Sequence, residues 1–409
     1  MTTTLTLPTS DPGGLNITEF DTRTLLAHAA EQSRANNYQD YFICDVDSHH
    51  YENESFGAIV KYIEDPVVRQ QAEVSASRRS GAGFLGAPIG NQDQAGRVTR
   101  YHTRHMDSYP PGTQRDAYLT KKWMDAMGID IAFLFPTPIL TLASHPVQHL
   151  QNQYIRAYNS WLTKEILPAE PRLRSMLCLP FNDPVASYQM VQDFGDAKGV
   201  SGFMITASHN RPVHDNAYMK LYAALEERNL PLAFHGSYNW ADTSFSTANK
   251  FITVHALGFV FHNMVHMANW IMNGLPERFP KLKVIWMESG LAWVPFMMQR
   301  FDNEYLMRSN EAPMLKMKPS EYMKRMYYSV QPLEIPEDLS ILQTTFKMIE
   351  AETQLMYSSD YPHWDFDLPS VIYDLPFLSE AGKRNILGET ARNVFNLGPL
   401  PKLAQIPPE

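Results

Sequence analysis

From residue 129 onward the chain alternates short apolar runs with longer stretches whose apolar positions recur at helical spacing. The runs are 129–136 (IDIAFLFP), 173–180 (LRSMLCLP), 199–206 (GVSGFMIT), 230–236 (LPLAFHG), 282–289 (LKVIWMES), 326–333 (MYYSVQPL) and 354–362 (QLMYSSDYP). The amphipathic stretches between and after them include 147–166, 183–194, 216–228, 257–273, 292–307 and 380–395. An earlier run, 41–49 (YFICDVDSH), makes eight. Strands separated by helical crossovers must pair in parallel, and eight such units predict an α/β chain folded as a (β/α)8 TIM barrel. A doubly wound open sheet is the rival. It lacks its usual phosphate loop, since no GxGxxG follows the first run and no GxxxxGK[ST] occurs.

The rest of the chain frames that barrel. Residues 1–36 read as an arm ending in a short helix at 21–36, residues 37–397 as the barrel domain, and 398–409 as an extended Pro-rich tail. Residues 55–127 form a long insertion after strand 1. Its middle, 77–97, is rich in Gly, Ser, Arg and Gln without periodicity, as expected of a lid rather than a core element.

Composition narrows the partners. A net charge of −9 argues against a nucleic-acid footprint or an anionic membrane surface. No apolar run reaches 18 residues, and the first 17 lack a basic start and a hydrophobic core, so neither a membrane helix nor a secretory signal is expected. The two cysteines, Cys44 and Cys178, sit in apolar runs and are expected to be buried, reduced thiols of a cytoplasmic protein. A homo-oligomer is the common case for such a chain, and the arm leaves room for a complex with a paralogous subunit.

The strand ends carry the chemistry. In a parallel barrel the reactive groups gather where the strands end. Here those ends hold Asp47, His49, His50 and Glu52, then His235, Glu288 and Asp360, with Thr206 followed by His209 and His214. Buried imidazoles and carboxylates each need a partner, and one metal ion satisfies several at once. Asp47 and His49, two apart on a strand, share a face, while His50 points the other way unless the backbone turns. His262 and His266 share a helix face and can bind metal, with packing as the better expectation. His102 and His105, in the insertion, are candidates for reaching over the mouth, beside Arg97, Arg100 and Arg104.

Four segments together resemble the amidohydrolase-related branch of the amidohydrolase superfamily, which includes aminocarboxymuconate semialdehyde decarboxylase. They are DVDSHHYE at the start, AFHG at 233–236, NGLPERFPKLKVIWMESGLAWVPFMMQRFD at 273–302 and LMYSSDYPHWDFD at 355–367. The resemblance implies a metal-dependent enzyme on a distorted (β/α)8 barrel. It places Asp47 and His49 in the family's first-strand ligand pair and His235 at the fifth-strand ligand. Asp360 falls at the eighth-strand aspartate that binds metal or handles the proton of a bound water. His363 would then lie behind Asp360. In two places the chain departs from the family pattern. Glu288 in ESG stands where many members place a catalytic histidine, and no lysine ends the fourth strand, so a carbamylated-lysine bridge is not available.

The expected cofactor is a divalent metal, Zn, Mn or Fe, since hard oxygen ligands mixed with imidazole suit all three. If Glu52, His50 or Glu288 also reach it, the site has room for two ions. Three functions follow. The first is a hydrolase or decarboxylase of a small carboxylated substrate, with Asp360 or Glu288 moving the proton and His363 supporting. The second is an O2-dependent hydroxylase with a dinuclear Fe/Mn site, and the third a silent barrel partnering an active paralogue. The two metal-dependent readings require the fifth-strand imidazole and the first- and eighth-strand carboxylates to lie within about 6 Å of one another.

Overall fold

A computed structural model describes residues 22–77, 109–206, 211–237, 242–363 and 365–398. Eight strands pair in parallel in sequence order: β1 (Cys44–His50), β2 (Ile131–Pro136), β3 (Leu173–Cys178), β4 (Val200–Thr206), β5 (Leu232–His235), β6 (Val284–Met287), β7 (Tyr327–Ser329) and β8 (Leu355–Met356). Each falls within, or one residue beyond, an apolar run of the sequence. They read as continuous apolar runs because both faces are covered, by the packed interior on one side and helices on the other.

The ring closes through three backbone hydrogen bonds between β1 and the segment after β8: Val46 N to Tyr357 O (3.0 Å), Asp360 N to Asp47 O (2.8 Å) and His49 N to Tyr361 O (2.8 Å). The fold is therefore the expected (β/α)8 barrel, distorted where β7 and β8 shrink to three and two residues.

The crossover helices start where side chains take up the backbone N–H groups of the first turn. Asp183 accepts from Val185 N and Ala186 N at the start of Pro184–Phe194, and Asp338 accepts from Ser340 N at the start of Leu339–Met348. The helix expected at 257–273 begins earlier, running Phe251–Met272. The described ends of the insertion are helical, as Phe56–Ile59, Pro66–Ser77 and Arg115–Met127, while residues 78–108 lie outside the described residues. Both cysteines are free and buried. Among the described residues no helix is long and apolar enough to cross a membrane.

One strand breaks the apolar rule. β1, CDVDSHH, is buried at all seven positions yet carries two aspartates and two histidines. Its pairing with β2 slips by one residue between Asp45 and Ser48, a bulge of the kind that re-aims side chains beside active sites.

Candidate metal centre

The ends of β1 and β5 each turn an imidazole to the same place. His49 sets its Nδ1 2.8 Å from Pro136 O at the end of β2, and His235, the last residue of β5, sets its Nδ1 2.7 Å from Gly236 O. A carbonyl oxygen only accepts, so each Nδ1 donates, and in the neutral ring each Nε2 is left as a lone pair. Burial holds the His49 imidazole below its ordinary pKa and so favours that neutral form.

The two Nε2 atoms face each other at 3.3 Å. Asp47 Oδ1 lies 3.4 Å from His49 Nε2 and 3.3 Å from His235 Nε2. Glu288 Oε2 lies 3.3 Å from His235 Nε2 and 4.0 Å from His49 Nε2. Donor atoms of these four buried residues all fall within 4.8 Å of one another.

Four electron-pair donors crowded this closely repel unless a cation sits among them. Neither Asp47 oxygen accepts an aligned hydrogen bond, although the side chain is fully buried. Neighbouring ligands on one ion with bonds of roughly 2.0–2.2 Å are about 3.0–3.5 Å apart, a spacing met by every donor–donor distance above except the 4.0 Å from Glu288 to His49. The residues fit a divalent metal, and their mix of imidazole and carboxylate suits Zn, Mn or Fe.

Asp360 stands at the edge of this cluster. Its Oδ1 is 3.3 Å from His49 Nε2 and accepts from His363 Nδ1 at 2.7 Å, while its Oδ2 is buried with no hydrogen bond. His363 Nε2 pairs with Thr137 Oγ1 at 3.0 Å, so the ring is held at both nitrogens behind Asp360, where the sequence places it. His49, Asp360 and His363 form a second convergent group that shares His49 with the first.

Glu288 and Asp360 both hold left-handed backbone, φ 49° and 57°, which a residue with a Cβ seldom adopts. Glu288 N is fixed by Ser329 Oγ at 3.0 Å. The glycine of AFHG has a steric reason as well: a Cβ on Gly236 would lie 2.2 Å from Glu288 O.

The electrostatics sort the carboxyls. Burial alone would raise Asp47, but the His235 and His49 rings beside it outweigh burial and hold it below the usual carboxylate range. Burial, reinforced by Glu288 nearby, pushes Asp360 well above that range. Burial also lifts Asp45 to about 8 despite its hydrogen bonds from Ser359, and Glu52 to about 7.

Two proposed ligands do not join the cluster. His50 faces away, with Nδ1 3.0 Å from Asp116 Oδ1, Nε2 2.9 Å from Tyr158 OH and its ring stacked on Trp161. Glu52 spends both oxygens on the backbone after β2, accepting from Thr137 N (2.9 Å) and Ile139 N (2.7 Å).

His262 and His266 also stay outside. The first pairs with Asp242 Oδ2 at 3.0 Å, and the second packs against Phe234. His102, His105, His209 and the arginines at 97, 100 and 104 lie outside the described residues, and His214 is half-buried in the loop after β4. Thr137 and Asp45 belong to the site's framework but were not among the candidates. Asp45 offered a signal in its place two residues before Asp47 on a fully buried strand.

A family model described as "Amidohydrolase" matches residues 78–397. That span starts after β1, so Asp47 and His49 stand on geometry and on their own motif. No curated protein sequence matches the chain. Solved structures do. A 5-carboxyvanillate decarboxylase from Sphingomonas paucimobilis is 19% identical with a TM-score of 0.63, over 87% of this chain and 99% of that one. A dihydroxybenzoic acid decarboxylase from Polaromonas sp. JS666, with bound manganese and 2-nitroresorcinol, is 18% identical with a TM-score of 0.62, over 89% and 99%. An amidohydrolase from Mycobacterium avium subsp. paratuberculosis K-10 is 18% identical with a TM-score of 0.64, over 87% and 99%. At these identities the likeness speaks for the fold, and the family model, matching well over half the chain, speaks for descent. The chain belongs to the amidohydrolase family and is a metal-dependent enzyme.

Proposed function

We propose that this enzyme decarboxylates or hydrolyses a small carboxylated organic molecule at one divalent ion held by Asp47, His49, His235 and Glu288. The observation that carries the reading is the pair of imidazole lone pairs 3.3 Å apart with Asp47 Oδ1 beside both. Bound there, such an ion polarises a substrate oxygen and acidifies a bound water. The protein's own part is proton handling. Asp360, pushed up by burial and by Glu288, keeps a proton readily, and the His363–Thr137 chain fixes its Oδ1 and leaves Oδ2 to hold or release it. Glu288 takes the position of the family's sixth-strand histidine, so the acid–base work moves to Asp360. The decarboxylases that share the fold support decarboxylation over hydrolysis, and the manganese in one of them supports Mn.

One observation favours the O2-dependent hydroxylase as a second reading. Asp47, Glu288 and Asp360 bring three carboxyls to two convergent groups that overlap at His49, more donors together with the imidazoles than one four-coordinate ion takes. The silent-partner reading accounts for none of this, since a structural barrel gains nothing from buried converging donors.

Elemental analysis of the purified chain decides. One ion per chain, lost in His235→Ala, with CO2 released from hydroxylated aromatic carboxylates under nitrogen, is the expected result. Two ions including iron, with O2 consumed, would establish the second reading. Unchanged metal content in His235→Ala would overturn the ligand assignment.

A further inference from the structure

We infer that Asp45 is the positioning residue of the centre, its carboxylate fixing Asp47 and both neighbours of Asp360 across the seam between β1 and β8. The inference rests on the ligand assignment proposed above.

Asp45 is fully buried and is not one of the converging donors. Its Oδ1 accepts from Asp47 N at 3.2 Å and from Ser359 N at 2.9 Å. Its Oδ2 accepts from the Ser359 hydroxyl at 2.5 Å, and that hydroxyl accepts in turn from Tyr361 N at 3.0 Å. The residues on either side of Asp360 are thus tied to one carboxylate, the first directly and the second through a hydroxyl. Between them Asp360 is held in left-handed backbone that a side-chain-bearing residue seldom adopts.

Local backbone bonds, His363 N to Asp360 O (2.9 Å) and Asp367 N to Ser359 O (2.8 Å), close the turn itself, and its place against the barrel is set by the contacts to β1. The residue pairing of β7 with β8 ends at Met356, four residues before Asp360. Beyond it, the turn that carries Asp360 meets the β1 seam, where the buried Asp45 side chain takes the backbone N–H groups of Asp47 and Ser359. Three donors meet on this one side chain, two of them backbone N–H groups, so it orients more of the backbone than a single hydroxyl in its place could. Asp45 therefore acts on the metal through Asp47 and Asp360 rather than by touching it.

The test uses the full chain stripped of metal with chelator and titrated with Mn(II), with Co(II) as a spectroscopic probe. Asp45→Asn keeps the shape and one acceptor but presents an amide to the Ser359 hydroxyl, and Ser359→Ala removes the relay to Tyr361. Both variants are expected to keep the wild-type circular dichroism while losing about 10- to 100-fold in Mn(II) affinity. Their Co(II) absorption bands should shift, and the double variant should be no worse than the more severe single. Wild-type affinity and spectrum in both singles would overturn the role of Asp45. If Asp45→Asn does not fold, Ser359→Ala decides alone. His235→Ala, run alongside, separates the two levels. Loss of Mn(II) there with none in Asp45→Asn removes only this inference, whereas retention in His235→Ala removes the ligand assignment and this inference with it.

Discussion

His50 and His49 are adjacent, both buried and both imidazoles, and their partners alone tell them apart. A buried imidazole has two nitrogens to satisfy. His50 satisfies both within the protein, on Asp116 and Tyr158, whereas His49 satisfies one on Pro136 and turns the other to the cluster. The consequence is measurable. His50→Ala would take one partner from the buried Asp116 carboxylate, which keeps Ser55 and Arg115, and would remove the partner of the buried Tyr158 hydroxyl, at a cost of about 1–3 kcal/mol. The urea midpoint should fall accordingly while metal content stays at the wild-type value. Loss of metal in that variant, with the fold intact, would make His50 a ligand after all. Glu52 follows the same logic, because an acceptor that already holds two backbone N–H groups has little left for a cation.

At the scale of elements, each ligand lies where a strand ends, which is why so much of the centre was legible in the sequence. A strand buried on both faces shows as an apolar run, and the first ionisable residue after it marks the mouth. His235, Glu288 and Asp360 stand out that way, and Asp47 and His49 through the crowding of acids and imidazoles in DVDSHH. What could not be read is what depends on pairing. The bulge in β1, the contact of Asp45 with Ser359 across 314 positions, and the left-handed turns at Glu288 and Asp360 arise only when the barrel closes. His50 was a candidate for the same reason, since its partner Asp116 lies 66 residues away in a stretch that reads as insertion.

The junction of β5 and β6 gives a test at this scale. A methyl group at Gly236 would press on Glu288 O and on the Phe259 ring, and backbone cannot step aside as a flexible side chain can. Gly236→Ala should cost about 1–3 kcal/mol or more and weaken Mn(II) binding at least tenfold by pushing Glu288 from His235. Gly57→Ala is the control, with nothing within 4 Å of its added Cβ, and should leave both quantities unchanged. Equal behaviour of the two variants in thermal melts and Mn(II) titration would refute the close approach.

The whole molecule stores this centre as an electrostatic cost that a cation relieves, and the sign can be worked out from the shifted groups. In the metal-free chain Asp45 (about 8), Glu52 (about 7) and Asp360 all titrate above their unfolded values. Each native carboxyl therefore keeps a proton that the unfolded chain has released, and stability falls as pH rises through the folded pKa values. Asp47 and Asp116 are held low, so above about pH 5 they are ionised in both states and add no slope. His49 and His262 are also lowered and act in the opposite direction, but only below about pH 6.5, where the unfolded imidazoles take up protons. The window from pH 6.5 to 8 thus belongs to the raised carboxyls. Chelator-treated protein should lose on the order of 1–2 kcal/mol across it, read as a falling melting temperature. A bound ion removes the reason for Asp360 to stay protonated, so saturating Mn(II) should raise the melting temperature at both ends, and more at pH 8 than at pH 6.5. A metal-free melting temperature that rises with pH across this window would mean that the buried carboxyls are already compensated without a cation, and the argument for a metal centre would lose its electrostatic basis.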